Sequence, residues 1–444
     1  MPNDGERHEF LSREFLSQGG VFRVKLFSFA ASIRLCVYGM LASLPFSVVG
    51  VNFFGYLILL MALFSREWWQ ALPRLLRNPL SLTALIMLVI VGLGTVYSVG
   101  PHHEALNVLN RYHKLLFIPL LMPFFQEEKD RVRGLNVLCG ALLINVLLSW
   151  TEYLRLTHIS DPIYVAGMPS PGDAVFRQHI TQGLLFCILV VIASALGWQA
   201  REKQRFLYWG MALLAAGNVA FVMVGRTGKA MLPVIALWLL GEWWFSRNRA
   251  VVRQEKDLSK TQSNSGPSTR FQGRWVLVLS VMIVLGSTLW SLTNPSTMLG
   301  TVFQEVRQSH QTGADTSQGE RVEFWHKGVL LFLKHPALGS GTGSVLTLTQ
   351  ELAKNETTPV NRLATSNFHD EYLMWAVQFG VPGLVAIAAF FIFYLRGGRQ
   401  PGLSGQVLRG IGILFAFGCL YNSFLVDFTE GYSIVLLGGL LISL

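Results

Sequence analysis

Charged side chains are scarce in this sequence. Only 14% of its 444 residues are Asp, Glu, Lys or Arg, whereas 51% are hydrophobic. A soluble domain carries about a quarter charged residues, so this composition excludes an ordinary soluble protein. It is typical of an all-α polytopic membrane protein, in which Gly and Trp are frequent. The net charge of +10 does not indicate nucleic acid, because the basic residues lie in loops between apolar runs.

Cysteine is also scarce, and no signal-peptide pattern is present. The four cysteines all fall inside apolar runs, so we expect buried thiols rather than disulfides or metal ligands (Cys36, Cys139, Cys187 and Cys419). The first 24 residues contain no apolar core, so we expect no cleavable signal peptide and a first span that acts as the insertion signal.

The sequence lacks a convincing set of metal ligands. It has no Asp-x-Asp motif and no cluster of closely spaced carboxylates in the outer segments. The nearest candidate is His102, His103 and Glu104 with His113. Adjacent residues of a helix point in different directions, so we predict interfacial histidines and no metal site.

Apolar runs suited to crossing a bilayer, which takes about 20 residues in a helix, recur along the chain. We predict about twelve spans, although 50–64 and 114–125 could instead be re-entrant or interfacial segments. The spans lie near 26–47, 50–64, 79–98, 114–125, 134–155, 179–198, 206–224, 228–246, 275–293, 371–395, 408–426 and 431–444.

Lysine and arginine set the predicted orientation, because they concentrate in cytoplasmic loops. With a cytoplasmic N-terminus, the inner segments hold 23 of these residues and the short outer segments hold five. The predicted organisation is a cytoplasmic tail over 1–25, spans one to nine over 26–293, a periplasmic loop over 294–370 and the last three spans over 371–444. Residues 247–274 are polar and aperiodic, and they are predicted to form a flexible cytoplasmic linker.

The outer loop has internal order. Apolar residues from Val322 to Leu333 predict a helix over 319–335 that packs on the bundle or lies on the membrane surface. A glycine-rich turn follows over 338–345, and then a short polar helix and a loop over 347–361.

Three outer arginines are candidate anion ligands: Arg226 between two glycines, Arg177 before span six and Arg321 on the loop helix. Guanidinium groups bind phosphate oxygens bidentately and stay charged. Together they suggest a doubly charged anion such as the pyrophosphate of a lipid carrier. Lys229 is a weaker candidate. For each of them the alternative is an interfacial cation whose stem lies along apolar surface.

His369 stands at the start of span ten. A neutral imidazole accepts a proton near pH 7. A helix N-terminus and nearby arginines would lower its pKa and keep it neutral. His369 is therefore a candidate general base.

Four sequence pieces occur in order. They are Arg321-x3-Trp325, His335-Pro336-Ala337-Leu338-Gly339-x-Gly341-x-Gly343, Ser366-Asn367-Phe368-His369-Asp370-Glu371-Tyr372-Leu373 and Gly380-Val381-Pro382-Gly383. The sequence resembles the O-antigen ligase and polymerase superfamily. The usual signature has an arginine and tryptophan on a loop helix, a Pro-x-x-Gly-x-Gly turn and a His-Asn pair. Here the pair is His369-Asp370, with Asn367 two residues earlier.

The resemblance implies a membrane glycosyltransferase of the GT-C-like class in the bacterial inner membrane. It implies a glycan donor on undecaprenyl pyrophosphate, lipid A-core as acceptor, surrounding membrane lipids and metal-independent inverting transfer without a cofactor. The implied catalytic residues are His369, Arg226 and Arg321. The candidate substrate-binding residues are Arg177, Trp325, Lys229, Asp370, Gly339 and Gly341.

Three other functions stay open. An O-antigen polymerase would extend the glycan on its carrier, and a protein O-oligosaccharyltransferase would transfer it to protein. The latter enzymes usually have an added C-terminal soluble region, which this sequence lacks. A lipid or glycan carrier would need paired charges at mid-depth in its spans. The predicted spans are nearly free of such residues, and the main exception, Glu242, lies near the inner end.

Overall fold

The computed structural model describes residues 29–157, 175–258 and 300–444, and four isolated positions between the last two segments. In these segments all regular secondary structure is helical, which agrees with the predicted all-α class. The predicted tail 1–25 and ninth span 275–293 lie outside the described residues, apart from isolated positions in that span. The predicted linker 247–274 is wrong over 247–258, which continues a helix, and its remainder is not described.

Sixteen α-helices occur in the described segments. They are α1 (Phe29–Ser43), α2 (Val48–Leu63), α3 (Arg66–Leu75), α4 (Pro79–Gly94), α5 (His102–Tyr112), α6 (Phe117–Leu121), α7 (Glu128–Tyr153), α8 (His179–Gln199), α9 (Glu202–Gly217), α10 (Arg226–Leu258), α11 (Thr301–Thr312), α12 (Ser317–Lys334), α13 (Val345–Ala353), α14 (Glu371–Gly397), α15 (Gly402–Gly418) and α16 (Phe428–Leu441).

Four helical segments of the described chain are long and apolar enough to cross a membrane. They are α7, α8, α14 and α9 extended to Val222 by a π-helical turn. Helices α2 and α3 form a fifth candidate, bent by 89° at their junction. Helices α1, α4, α15 and α16 are apolar but shorter. The structure supports a polytopic membrane protein, and the count of twelve spans stays a prediction.

Two of the predicted spans differ from single regular helices. The span at 114–125 is a series of short pieces: a 3-10 turn at His113–Leu116, helix α6 and a second 3-10 turn at Met122–Phe124. Pro119 and Pro123 lie in this stretch, and each removes a backbone N–H that a regular helix would use. The span at 408–426 ends as a helix at Gly418, and 419–427 is a loop.

Helix α8 is the centre of the bundle. Every residue from Gln182 to Gly197 is buried, as expected of a helix that is apolar on all faces. It packs against α7, α9, α10 and α15. Gly183 of α8 and Gly228 of α10 lack side chains where the two helices meet. This close contact fixes the N-terminal turn of α10, which carries Arg226.

Helix α14 is broken at Gly380, whose φ of 64° and ψ of −149° are not helical. The break frees carbonyl groups that the glycine-rich turn then uses. The Ser340 N–H donates to Val377 O (2.9 Å), and the Gly341 N–H donates to Gln378 O (2.8 Å). Buried backbone polar groups are normally paired, so the turn satisfies the carbonyl groups that the break leaves open.

Helix α12 confirms the predicted helix over 319–335 and packs on α14. Phe324 and Leu331 of α12 form a small apolar cluster with Phe368 and with α14. The buried Lys327 donates to the carbonyls of Asn361 (2.6 Å) and Leu363 (2.8 Å). These contacts fix the first turn of α12, which carries Arg321, over the start of α14.

Glu242, the main ionisable residue of the predicted spans, has a partner. Its carboxylate accepts hydrogen bonds from Arg409 of α15, and the Arg409 Nη2 to Oε2 distance is 2.7 Å. Removing either partner would leave a buried charge uncompensated. This pair therefore has a structural explanation, as a link between α10 and α15.

The contact between the glycine-rich turn and α14 makes a testable prediction. Gly339 has a φ of +69°, and an added Cβ would overlap the backbone of Gln378 and Phe379. Gly339→Ala should therefore lower stability by about 2 kcal/mol or more, since the left-handed backbone alone costs about 1–2 kcal/mol. Thermal unfolding in detergent measures the loss.

Gly92→Ala is the matched control. Gly92 lies inside α4 with open space where a Cβ would stand. The substitution should be neutral or stabilise the helix by up to about 1 kcal/mol. Equal melting temperatures for the Gly339 and Gly92 variants would contradict the assigned packing role.

Candidate active site

His369 lies in the turn that leads into α14. Its φ of 52° is in the left-handed region. The Asn367 side-chain oxygen accepts the backbone N–H of His369 (2.8 Å) and the hydroxyl of Ser423 (2.6 Å). An asparagine oxygen thus stabilises a strained backbone. Among the described residues, neither ring nitrogen of His369 has a hydrogen-bond partner.

Glu371, two residues after His369, anchors this turn. Its carboxylate is buried and accepts hydrogen bonds from the Tyr112 hydroxyl (2.7 Å), the Trp375 indole (3.1 Å) and the Leu425 N–H (2.9 Å). Its own N–H donates to the carbonyl of Cys419 (2.9 Å). These bonds join α5, α14 and the 419–427 loop, so the position of His369 is set by three parts of the chain.

Arg321 reaches the same region from the first turn of α12. Its side chain is half-buried, and no hydrogen bond or ion pair engages its guanidinium among the described residues. Burial lowers the pKa of Arg321, Arg226 lowers it further, and Glu320 and Tyr421 act in the opposite direction. Arg321 therefore faces a second cation with no bound carboxylate to balance the charge.

Arg226 is the first residue of α10 and has a partner. Its Nη1 donates to Glu305 Oε2 (3.0 Å), its Nη2 donates to Glu305 Oε1, and Nη2 also contacts the Thr301 hydroxyl (3.2 Å). Such bidentate geometry is the one that a guanidinium also adopts with phosphate. Helix α11 thus supplies a carboxylate to the arginine that was predicted to bind an anion.

The electrostatics around His369 favour its neutral form. Burial lowers the pKa of His369, and the charge of Arg321 lowers it further. Burial also raises the pKa of the neighbouring Asp370 to about 6. At neutral pH the imidazole therefore has a free lone pair, as a general base requires.

Asp370 and Trp325 lie beside this centre. The Asp370 carboxylate accepts the N–H of Leu373 (2.9 Å) and so caps α14. Trp325 lies one turn after Arg321, and its indole N–H is buried without a partner among the described residues. The capping hydrogen bond gives Asp370 a structural role, whereas the indole N–H of Trp325 has no acceptor among the described residues.

The structure does not join Arg177 to this centre. Its Nη2 donates to the carbonyl of Leu44 (3.0 Å), and it lies close enough to Glu430 to interact with that carboxylate. Lys229 lies one turn into α10 from Arg226. The described contacts of Arg177 therefore place it in a separate polar group at the start of α8 and α16.

Gly339 and Gly341 have a structural role, and their substrate contact stays a prediction. Their N–H groups donate to His335 O (3.0 Å) and to Gln378 O (2.8 Å), so neither is free for a ligand. Both residues have positive φ and press against neighbouring backbone. Glycine spacing in a sequence does not distinguish close approach to a ligand from close approach to a helix.

Sequence reasoning missed two residues of this region, Glu305 and Tyr421. Glu305 follows Arg226 by 79 residues, and no motif links such distant positions. Tyr421 was assigned to the apolar span 408–426. Among the described residues no group of three His, Cys, Asp or Glu side chains is placed to hold a metal ion.

Residues 219–388 match the family model described as O-antigen ligase. Over this segment the chain is similar to the O-antigen ligase family. It contains Arg226, Arg321 and His369, whereas Arg177 and Tyr421 lie outside it. No curated protein matches the chain. The family indicates a glycosyltransferase-like membrane enzyme of the ligase or polymerase type, with lipid-linked glycan substrates.

A second prediction concerns the pKa of His369. Arg321→Gln removes a positive charge that lowers this pKa, so the pKa should rise and the imidazole should remain protonated to higher pH. The pH dependence of diethylpyrocarbonate modification, followed for the His369 peptide by mass spectrometry, reports the neutral fraction.

The exposed His103 serves as the internal control, because its modification profile should not change. A profile for His369 that is the same in both proteins would show that Arg321 does not act on the imidazole.

Proposed function

We propose that the chain transfers an O-antigen glycan from undecaprenyl pyrophosphate to a sugar hydroxyl of lipid A-core, on the periplasmic face of the bacterial inner membrane. The observation that carries this proposal is the half-buried Arg321, which has no partner among the described residues and lies near Arg226 and His369. A partly buried cation is unfavourable unless an anion joins it. A pyrophosphate supplies that charge.

The two arginines have different roles in this proposal. Arg321 is available to the donor pyrophosphate in the unliganded protein. Arg226 is held by Glu305, so the pyrophosphate must replace this carboxylate to bind both guanidinium groups. The exchange keeps Arg226 paired in both states, because a phosphate and a carboxylate accept the same bidentate hydrogen bonds.

The proposed reaction is one displacement. The acceptor hydroxyl attacks the anomeric carbon of the donor, and its proton goes to the imidazole of His369. The bond from that carbon to the pyrophosphate oxygen breaks, and its electron pair leaves with the pyrophosphate. Arg226 and Arg321 stabilise the negative charge that develops there. One displacement inverts the anomeric centre, and no metal or cofactor takes part in any proposed step.

Both proposed substrates are lipids, so they need a path from the bilayer to His369. Helix α12 offers apolar side chains for this purpose, since Val322, Val329, Leu330 and Leu333 are exposed. We propose that the loop 294–370 is periplasmic, that α12 covers the site and that its apolar face guides the lipid portions. Trp325 would contact the glycan or the phosphate through its free indole N–H. Arg177 and Lys229 would act only at the margin of the site.

Reconstitution tests the function directly. With lipid-linked O-antigen and lipid A-core, the protein should form glycan on the core. His369→Ala should lower the rate at least about a hundredfold, as expected for loss of a general base. The control His326→Ala removes an exposed histidine of α12. EDTA should have no effect.

A longer lipid-linked glycan without product on the core would identify a polymerase instead, and glycan on a protein acceptor would identify an oligosaccharyltransferase. Full activity of His369→Ala would exclude the general-base role. Transbilayer movement of the glycan without transfer would identify a carrier.

A further prediction concerns the ion pair between Arg226 and Glu305. Glu305→Gln removes the competing carboxylate, so the KM for the donor should fall by roughly threefold to tenfold, as for one charge-assisted hydrogen bond. Arg321→Lys should lower kcat/KM at least about tenfold, because an ammonium cannot replace the guanidinium fork. Steady-state kinetics with purified donor measure both effects.

The control is Glu323→Gln on the neighbouring helix, where the carboxylate pairs with Lys327 (3.4 Å) and not with Arg226. It should leave the donor KM unchanged. A higher KM in Glu305→Gln would mean that Glu305 supports donor binding instead of competing with it.

A further inference from the structure

Tyr421 is a half-buried tyrosine whose hydroxyl has an unusual environment. It lies in the 419–427 loop between α15 and α16. Its hydroxyl oxygen is buried and has no hydrogen-bond partner among the described residues. Buried tyrosine hydroxyls normally find a partner, so this oxygen calls for an explanation.

Three other tyrosines of the bundle have hydroxyls that donate hydrogen bonds to protein groups. The hydroxyl of Tyr394 donates to the carbonyl of Ile434 (3.2 Å), Tyr372 donates to Ala416 (2.8 Å) and Tyr112 donates to Glu371 (2.7 Å). Each of these hydroxyls joins two segments of the protein. The hydroxyl of Tyr421 joins none.

The chain that carries Tyr421 is fixed to both sides of the candidate active site. The Asn422 side chain donates to the Thr227 hydroxyl (3.0 Å), next to Arg226. The Ser423 hydroxyl donates to the Asn367 oxygen (2.6 Å), which also holds the backbone of His369. Tyr421 therefore belongs to a segment that links the turn of α10 to the turn before α14.

The ring of Tyr421 is held by an edge-to-face contact with Phe417, with ring centroids 5.3 Å apart. The side chain lies close enough to Arg321 to interact with it electrostatically. Packing thus holds a hydroxyl donor within electrostatic range of a guanidinium that also lacks a partner among the described residues. One acceptor that binds both would satisfy these two groups.

We propose that Tyr421 is a further anion ligand of this site, and that its hydroxyl donates a hydrogen bond to the phosphate oxygen bound by Arg321. This inference rests on the proposed function for the identity of the anion. The ligand is a pyrophosphate group, free or esterified, which offers several acceptor oxygens to one phenol and one guanidinium. Tyr421 lies outside the segment that matches the family model.

The test compares Tyr421→Phe with Tyr394→Phe. The first removes a hydroxyl without a protein partner and keeps the packing of the ring, so the melting temperature should not fall. It should weaken the binding of inorganic pyrophosphate roughly tenfold, as expected for a hydrogen bond to a charged group. The second removes a satisfied hydroxyl away from the site. It should lower the melting temperature and leave pyrophosphate binding unchanged.

Isothermal titration with pyrophosphate and thermal unfolding, both on the full chain in nanodiscs, measure these effects. Wild-type binding by Tyr421→Phe would overturn the proposal, as would a lower melting temperature with unchanged binding. Arg321→Gln distinguishes the proposed anion site from the proposed part of Tyr421 in it. If it abolishes binding and Tyr421→Phe does not, the anion site stands and Tyr421 is not part of it.

Glycan transfer is measured with the same variants. Weaker pyrophosphate binding by Tyr421→Phe supports the anion contact even if no transfer to any acceptor is found, and in that case the proposed function alone fails. With transfer present, the donor KM should rise roughly tenfold in Tyr421→Phe, and kcat should change less.

Discussion

The geometry of the site depends on the hydrogen bonds of the buried Glu371 carboxyl group. A buried carboxyl group must be matched by hydrogen-bond partners, and Glu371 takes these partners from Tyr112, Trp375 and the backbone of the 419–427 loop. Three separate parts of the sequence are therefore brought to the start of α14. His369 precedes this anchor by two residues and Tyr421 lies in the loop that supplies its donors, so neither can move far without breaking it.

A second constraint is the repulsion between like charges. Arg226 and Arg321 lie within electrostatic range of each other, and one carboxylate, Glu305, serves only the first of them. Glu320 offsets part of the charge of Arg321. Among the described residues, however, neither the guanidinium of Arg321 nor the hydroxyl of Tyr421 has a hydrogen-bond partner. Both features agree with the anionic ligand proposed above.

Much of this arrangement could be predicted from the sequence, and the exceptions have physical reasons. The helix that carries Arg321 was predicted because its apolar side chains recur at helical spacing. The segment at 114–125 was predicted as a span from its apolar composition, which does not register the breaks that its two prolines impose. Glu305 and Tyr421 could not be found because tertiary contacts, not local patterns, bring them to Arg226 and Arg321. Gly339 and Gly341 were assigned to substrate because glycine indicates close approach without indicating to what.

The break in α14 has a consequence for how this sequence can change over evolutionary time. Gly380 leaves room for the backbone of Pro336 and Gly339, and Gly339 leaves room for the backbone of Gln378 and Phe379. Gly339 must lack a side chain because the backbone of α14 lies against it. Gly380 must lack one because the backbone of the turn lies against it. A single substitution at either place therefore meets a steric barrier, and the two segments are expected to vary together or not at all. The turn and the broken helix behave as one inherited unit, although more than thirty residues separate them in the chain.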